Sequence, residues 1–142
     1  VSGLLLDTNI PSEAMKPRPE PKVERWLDEV EDEQLFFSVI SLAEIFKGIG
    51  HLPDSKKRAE LQEWVETVLR PFFAGRLLAV TEPIAVRLGL WTGQAKARGI
   101  KIEMADGLIA ATAIEHGLTL VTRNVKDFSY FGVPLLNPWD AV

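Results

Sequence analysis

The chain has 142 residues, 46% of them apolar, and a formal charge of −4: enough for one domain with a real core, too acidic for indiscriminate nucleic-acid binding. No run of eighteen or more apolar residues is available to span a membrane and no basic-then-apolar leader opens the chain, so a cytoplasmic location without membrane association is expected. With no cysteine and only His51 and His116, disulfides and thiolate metal sites are excluded and a zinc centre lacks ligands, which leaves oxygen donors.

In chain order, the apolar run Gly3–Leu6 predicts a buried strand that ends at Asp7-Thr8-Asn9. Asp7 then stands at a strand's carboxyl end, where α/β sheets place their ligands, with Thr8 and Asn9 able to orient it, although all three residues are also good helix caps. The Pro-rich piece Lys16–Pro21 leads into a helix near 22–31, and Leu35–Ser38 reads as a second strand. Ser41-Leu42-Ala43-Glu44 has the form of a capping box for the helical segment ending at His51. The same placement aims Glu44 toward Asp7, so two roles compete for one side chain.

A helix from about Ser55 to Phe72 carries Leu61, Trp64, Val65, Val68 and Leu69 at helical spacing, a stripe for the core or a partner. Leu77–Val80 is the third strand candidate, followed by a helix over roughly Glu82–Arg98 that closes at Gly99. Residues 83–102 hold Arg87, Lys96, Arg98 and Lys101 and no acid, whereas residues 1–50 hold ten acids and five bases. One surface is therefore either basic or an ordinary solvated helix face.

The next helix runs from about Glu103 to Gly117 and is small and apolar except for Asp106, a residue that propensity disfavours there and burial penalises. Glu103, one turn earlier, is a reserve ligand or a helix-start acid. Leu118–Val121 gives a fourth strand and Pro134–Leu136 a short fifth. Between them, Thr122 to Asp127 is either a polar loop or a second acidic strand end, with Arg123 and Lys126 as donors for phosphate. The four tryptophans, Trp26, Trp64, Trp91 and Trp139, are expected in packing, since no basic residue is paired with them as a base-stacking platform requires. The alternation of strands and helices predicts a mostly parallel sheet with helices on both faces.

Asp7, Glu44, Asp106 and Asp127, with Asn124 near the last, thus converge on one sheet edge. Such carboxylates repel one another unless a cation fills the cluster, and we read them as a Mg²⁺ or Mn²⁺ site for cutting a phosphodiester. No Ser-His-Asp or Cys-His arrangement, phosphate loop or dinucleotide fingerprint is present, so metal-activated water is the remaining hydrolytic route.

Leu4-Leu5-Leu6-Asp7-Thr8-Asn9, Ser41-Leu42-Ala43-Glu44-Ile45, Ala105-Asp106-Gly107-Leu108-Ile109-Ala110-Ala111 and Leu120 to Phe128 together resemble the PIN-domain family, and more narrowly its VapC-type toxins, down to Leu136-Asn137-Pro138-Trp139. The resemblance implies a single domain over residues 1–142 with a three-layer α/β/α sandwich, a Mg²⁺- or Mn²⁺-dependent endoribonuclease, a homodimer, and a small antitoxin whose tail blocks the acidic site. Matched by position, Asp7, Glu44 and Asp106 are the family's most constant acids. Many relatives have an acid where Asn124 stands, so Asp127 ligates directly or through water. Thr8, Asn9, Ser41, Thr122 and Glu103 would support these ligands, and Arg123, Lys126, Arg98 and Lys101 would contact RNA. Two alternatives are a haloacid-dehalogenase-like phosphatase, which wants an aspartate where Asn9 stands, and a non-catalytic binding module whose acids only cap helices.

Overall fold

The computed structural model describes residues 3–140. Five short strands, β1 (Leu4–Leu6), β2 (Leu35–Ser38), β3 (Leu77–Leu78), β4 (Thr119–Val121) and β5 (Leu135–Leu136), form one sheet in the order β3-β2-β1-β4-β5. Every pairing is parallel, with Leu5 opposite Phe36 on one side and Leu120 on the other. The strands fall where expected, β2 with the expected bounds and β1, β3, β4 and β5 one or two residues shorter.

Alternating side chains along each strand build two cores. Leu5 and Leu120 pack with Ile109, Ala110, Ala113 and Phe128 on one face. Leu6, Phe37 and Val121 pack with Ile10, Ile49, Val65 and Phe73 on the other. Helices α1 (Asn9–Ala14), α2 (Pro21–Glu29), α3 (Val39–His51) and α4 (Lys56–Trp64) serve the second core, α6 (Glu82–Ala97), α7 (Met104–Glu115) and α8 (Val125–Phe128) the first. The arrangement is the three-layer α/β/α sandwich.

The helix expected from Ser55 to Phe72 is one run interrupted by a π-helical stretch, Val65–Leu69, before the short α5 (Arg70–Phe72). Val65 and Leu69 are buried while Val68 is 52% exposed, because the widened turn carries Val68 off the apolar stripe. Gly99 and Gly117 have left-handed φ of 71° and 65°, as expected of residues that release the chain from α6 and α7. These two helices run antiparallel: Arg87 near the start of α6 pairs with Glu115 at the end of α7 at 3.8 Å. The end of α6 therefore lies beside the start of α7, where Asp106 sits.

The chain winds from β1 outward through β2 to β3, then returns to the opposite side of β1 as β4. The crevice beyond the carboxyl ends of β1 and β4 is the topological switch point, the position at which parallel sheets of this kind bind ligands.

Candidate functional site

Asp7 follows β1 directly, and its amide donates to the Val121 carbonyl at 2.8 Å, so the β1–β4 ladder delivers its carboxylate to the crevice. The side chain is only 7% exposed. The Thr122 hydroxyl donates to Oδ2 at 2.7 Å, the Thr8 amide to Oδ1 at 2.8 Å, and the Asn9 amide reaches Oδ2 at 3.5 Å. Burial pushes the Asp7 carboxyl above its ordinary range; the Thr122 and Thr8 bonds oppose this, and the nearby Asp127 charge adds to it.

Glu44 is not half of a capping box. Helix α3 begins at Val39 with no loop after β2, so Ser38 is its cap, its hydroxyl accepting from the Ile40 amide at 3.0 Å. Ser41 and Glu44 consequently lie inside the helix. The Ser41 hydroxyl is buried without a partner and does not join the site, whereas Glu44 accepts from the Thr8 hydroxyl at 2.6 Å. Thr8 in turn makes no side-chain cap on α1.

Asp106 occupies the first turn of α7, where its amide donates to the Glu103 carboxylate at 3.0 Å. Glu103 thus caps this helix. Partial burial first, then the charges of Glu103, Asp7, Asp127 and Glu44, push the Asp106 carboxyl up to about 7. Five carboxylates from four separate segments therefore share one electrostatic field. The ion pairs among the described residues are Lys16–Glu13, Lys56–Glu60, Arg70–Glu66 and Arg87–Glu115, so none of the five is neutralised by a base.

Among the described residues, no three His, Cys, Asp or Glu side chains stand close enough together to hold a metal ion. The charges converge, but the oxygens do not meet at a single point. The donor set itself fits a hard divalent cation: it is all oxygen, without a compensating base, and its members raise one another's proton affinity. Asn9 Oδ1, buried without a partner beside Asp7, is a further orphaned acceptor.

Asn124 and Asp127 are both exposed. Asn124 precedes α8 and donates its amide to the Thr122 hydroxyl at 3.0 Å, making no side-chain cap, while the Asp127 charge acts on both Asp7 and Asp106. Lys126 on α8, Arg98 after α6 and Lys101 before α7 are exposed, the latter two at the end of the α6–α7 pair that carries Asp106. Arg123 lies with its guanidinium 5.2 Å from the Trp139 ring centre. Arg87 likewise lies 5.9 Å from Trp91. All four tryptophans pack against the two cores as expected, but the expectation that none is paired with a base fails at both: Arg123 and Trp139 are distant in sequence and invisible to local spacing, whereas Arg87 and Trp91 stand one helical turn apart on α6 and were legible. Sequence reading also passed over Glu13, which is buried, accepts from Lys16 Nζ and from the Glu20 amide at 2.9 Å each, and is held below the ordinary glutamate range first by the Lys16 bond. Its spacings to Asn9 and Lys16, one helical turn each way, were the available signal.

A parallel α/β domain with uncompensated carboxylates gathered at its switch point has the form of a hydrolase. The chain belongs to the PIN domain family, whose model matches residues 4–132. It is similar to toxin FitB of Neisseria gonorrhoeae, 41% identical over 136 residues that cover 96% of this chain and 98% of the relative. The crystal structure of FitAcB from the same organism gives a TM-score of 0.89 at 41% identity, covering 96% of this chain and 99% of that one. VapC ribonuclease Y4jK of Sinorhizobium fredii is 36% identical, over 96% of this chain and 98% of its own. A toxin–antitoxin complex from Klebsiella pneumoniae is similar with a TM-score of 0.68 at 27% identity, covering 96% and 98%. The phosphatase alternative falls with this membership; Asn9 stands at its second aspartate and turns its amide to Asp7 and Thr122. Among the crevice acids the binding-module alternative describes Glu103 alone, since Asp7 and Glu44 cap no helix. No helix among the described residues is long and apolar enough to cross a membrane.

Proposed function

We infer that the chain is the ribonuclease toxin of a toxin–antitoxin pair, an endonuclease that hydrolyses RNA phosphodiesters at the crevice between β1 and β4. The observation that carries this reading is the shared field of Asp7, Glu44, Asp106, Asp127 and Glu103, none of them ion-paired with a base among the described residues. Asp7 and Asp106 would hold the principal Mg²⁺ or Mn²⁺ ion, and Glu44 and Asp127, with Asn124, would complete its surroundings directly or through water. A bound divalent ion lowers the pKa of water for in-line attack and offsets charge developing on the phosphate.

The chain's own residues prepare this edge. Thr122 and the Thr8 amide fix the Asp7 carboxylate, and the Thr8 hydroxyl fixes Glu44, so one short segment orients two acids. The uncompensated acidic field pushes the Asp106 carboxyl up to about 7, so near neutral pH it is poised between acid and carboxylate, and positive charge bound nearby would favour the carboxylate. The partner fitting such a surface is a small antitoxin, and the names of the similar proteins support that role. A homodimer and a cytoplasmic location complete the proposal.

The test is cleavage of total RNA in Mg²⁺ or Mn²⁺, with and without chelator. Parent protein is expected to cut only with free metal, and Asp7→Asn or Asp106→Asn to reduce cutting to background. Equal cutting by either variant would remove these residues from the assignment.

A further inference from the structure

A second feature adjoins the acidic crevice. Helix α1 presents Asn9 to Asp7 and Thr122, and one turn further, about 6 Å along its axis, it presents Glu13 to a cleft of about 420 Å³. Lys16, Arg18, Arg123 and Trp139 line that cleft together with Glu20, so three cations face two acids there. Buried Glu13 ties down Lys16 by a 2.9 Å ion pair and acts on Arg123 only through its charge. Arg123 follows Thr122 immediately in the chain, and its guanidinium rests over Trp139. Among the described residues none of its N–H groups donates a hydrogen bond, although the residue is exposed. A planar cation pinned on one face and unbonded at its edge offers donors for phosphate and a second face for a base.

We propose that this cleft holds the RNA strand beside the scissile bond, with Lys16 and Arg18 on the phosphate backbone and a base stacked on the Arg123–Trp139 pair. The proposal rests on the ribonuclease reading and extends it to substrate binding. It accounts for how an acidic protein captures a polyanion: Lys16, Arg18 and Arg123 stand beside the crevice acids Asp7, Glu44, Asp106 and Asp127 rather than among them, so strand binding and cation binding do not compete for one point.

Two measurements separate this proposal from the reading beneath it. Binding of a short unstructured oligoribonucleotide is measured on the full chain carrying Asp106→Asn, so that the strand stays intact, and cleavage is measured on the parent. Arg18→Gln and Arg123→Gln are expected to weaken binding about tenfold each and to reduce the log–log salt slope by about 0.7 per lost phosphate contact, while Arg70→Gln on α5 changes neither. In cleavage the same variants raise KM and leave kcat. Arg123→Lys restores the slope but not the affinity, since lysine keeps the charge and loses the planar stack. Unchanged binding in the glutamine variants, or equal loss with Arg70→Gln, overturns the cleft; so does a cleft that binds only a partner protein. If the glutamine variants lose RNA binding as expected but the parent cuts no RNA in any divalent metal, the nuclease reading fails and the cleft stands.

Discussion

The Thr122 hydroxyl donates to Asp7 Oδ2 at 2.7 Å, joining residues 115 apart in the chain at the point where β1 and β4 end together. Thr122 is fully buried, and its hydroxyl also accepts from the Asn124 amide at 3.0 Å. One side chain thus ties the crevice acid to the loop that carries Asp127.

Thr122→Val keeps the shape and removes this bond. Stability at pH 7 is expected to fall by about 1.5–3 kcal/mol, the range for a hydrogen bond to a charged group, with the Asp7 carboxyl pushed higher still. Urea unfolding followed by tryptophan fluorescence reads the change. An unaltered midpoint would mean that the bond contributes nothing.

The Asp106 shift gives a signed pH dependence. Its folded pKa of about 7 stands above the ordinary 3.8, so between these values the folded state holds more proton than the unfolded one, and stability falls as pH rises through that window. Asp7, also raised, acts in the same direction. Melting temperature in chelator should decline from pH 5 to 7.5, a range above the window in which lowered Glu13 contributes. Asp106→Asn should flatten the decline, and Mn²⁺ should reverse it. A rise with pH in the parent would contradict the sign.

Glu103 is separable as a cap and as a charge. Glu103→Asn retains a good capping residue, so stability should change by less than about 0.5 kcal/mol, while removal of the charge lowers the Asp106 carboxyl from about 7. Carbon-13 NMR titration of Asp106 measures the shift. RNA cleavage in saturating metal should persist; its loss would make Glu103 a ligand instead.

Gly107 packs where a side chain has no room: an added Cβ would run into Leu88 Cδ1 and stand 3.2 Å from Ile102 Cγ2. Gly107→Val should cost about 2 kcal/mol or more through overpacking at the α6–α7 contact, shifting Asp106 and weakening metal affinity. Thermal melting and Mn²⁺ titration test the two effects together. Normal stability would show that Leu88 moves aside freely.

Much of the fold was legible because apolar runs and glycine caps are local signals. Gly3–Leu6, Leu118–Val121, Gly99 and Gly117 each state their role within a few residues, and strand–helix alternation then admits few topologies. Asp7 and Asp106 were legible for a related reason: a carboxylate at the end of a buried strand, or in an apolar helix, conflicts with its surroundings. Ser41 and Glu44 misled because a capping box reads the same whether or not the helix has already begun.

The order of the strands, the bond from Thr122 to Asp7, that from Thr8 to Glu44, and the stack of Arg123 on Trp139 belong to the tertiary structure alone. Side chains along a strand or helix follow fixed periods that a sequence displays. The meeting of two such elements depends on which faces pack, and that is settled by burial over the whole chain. The sequence by itself determined which acids could serve; only the folded sheet decided that their charges meet in one field.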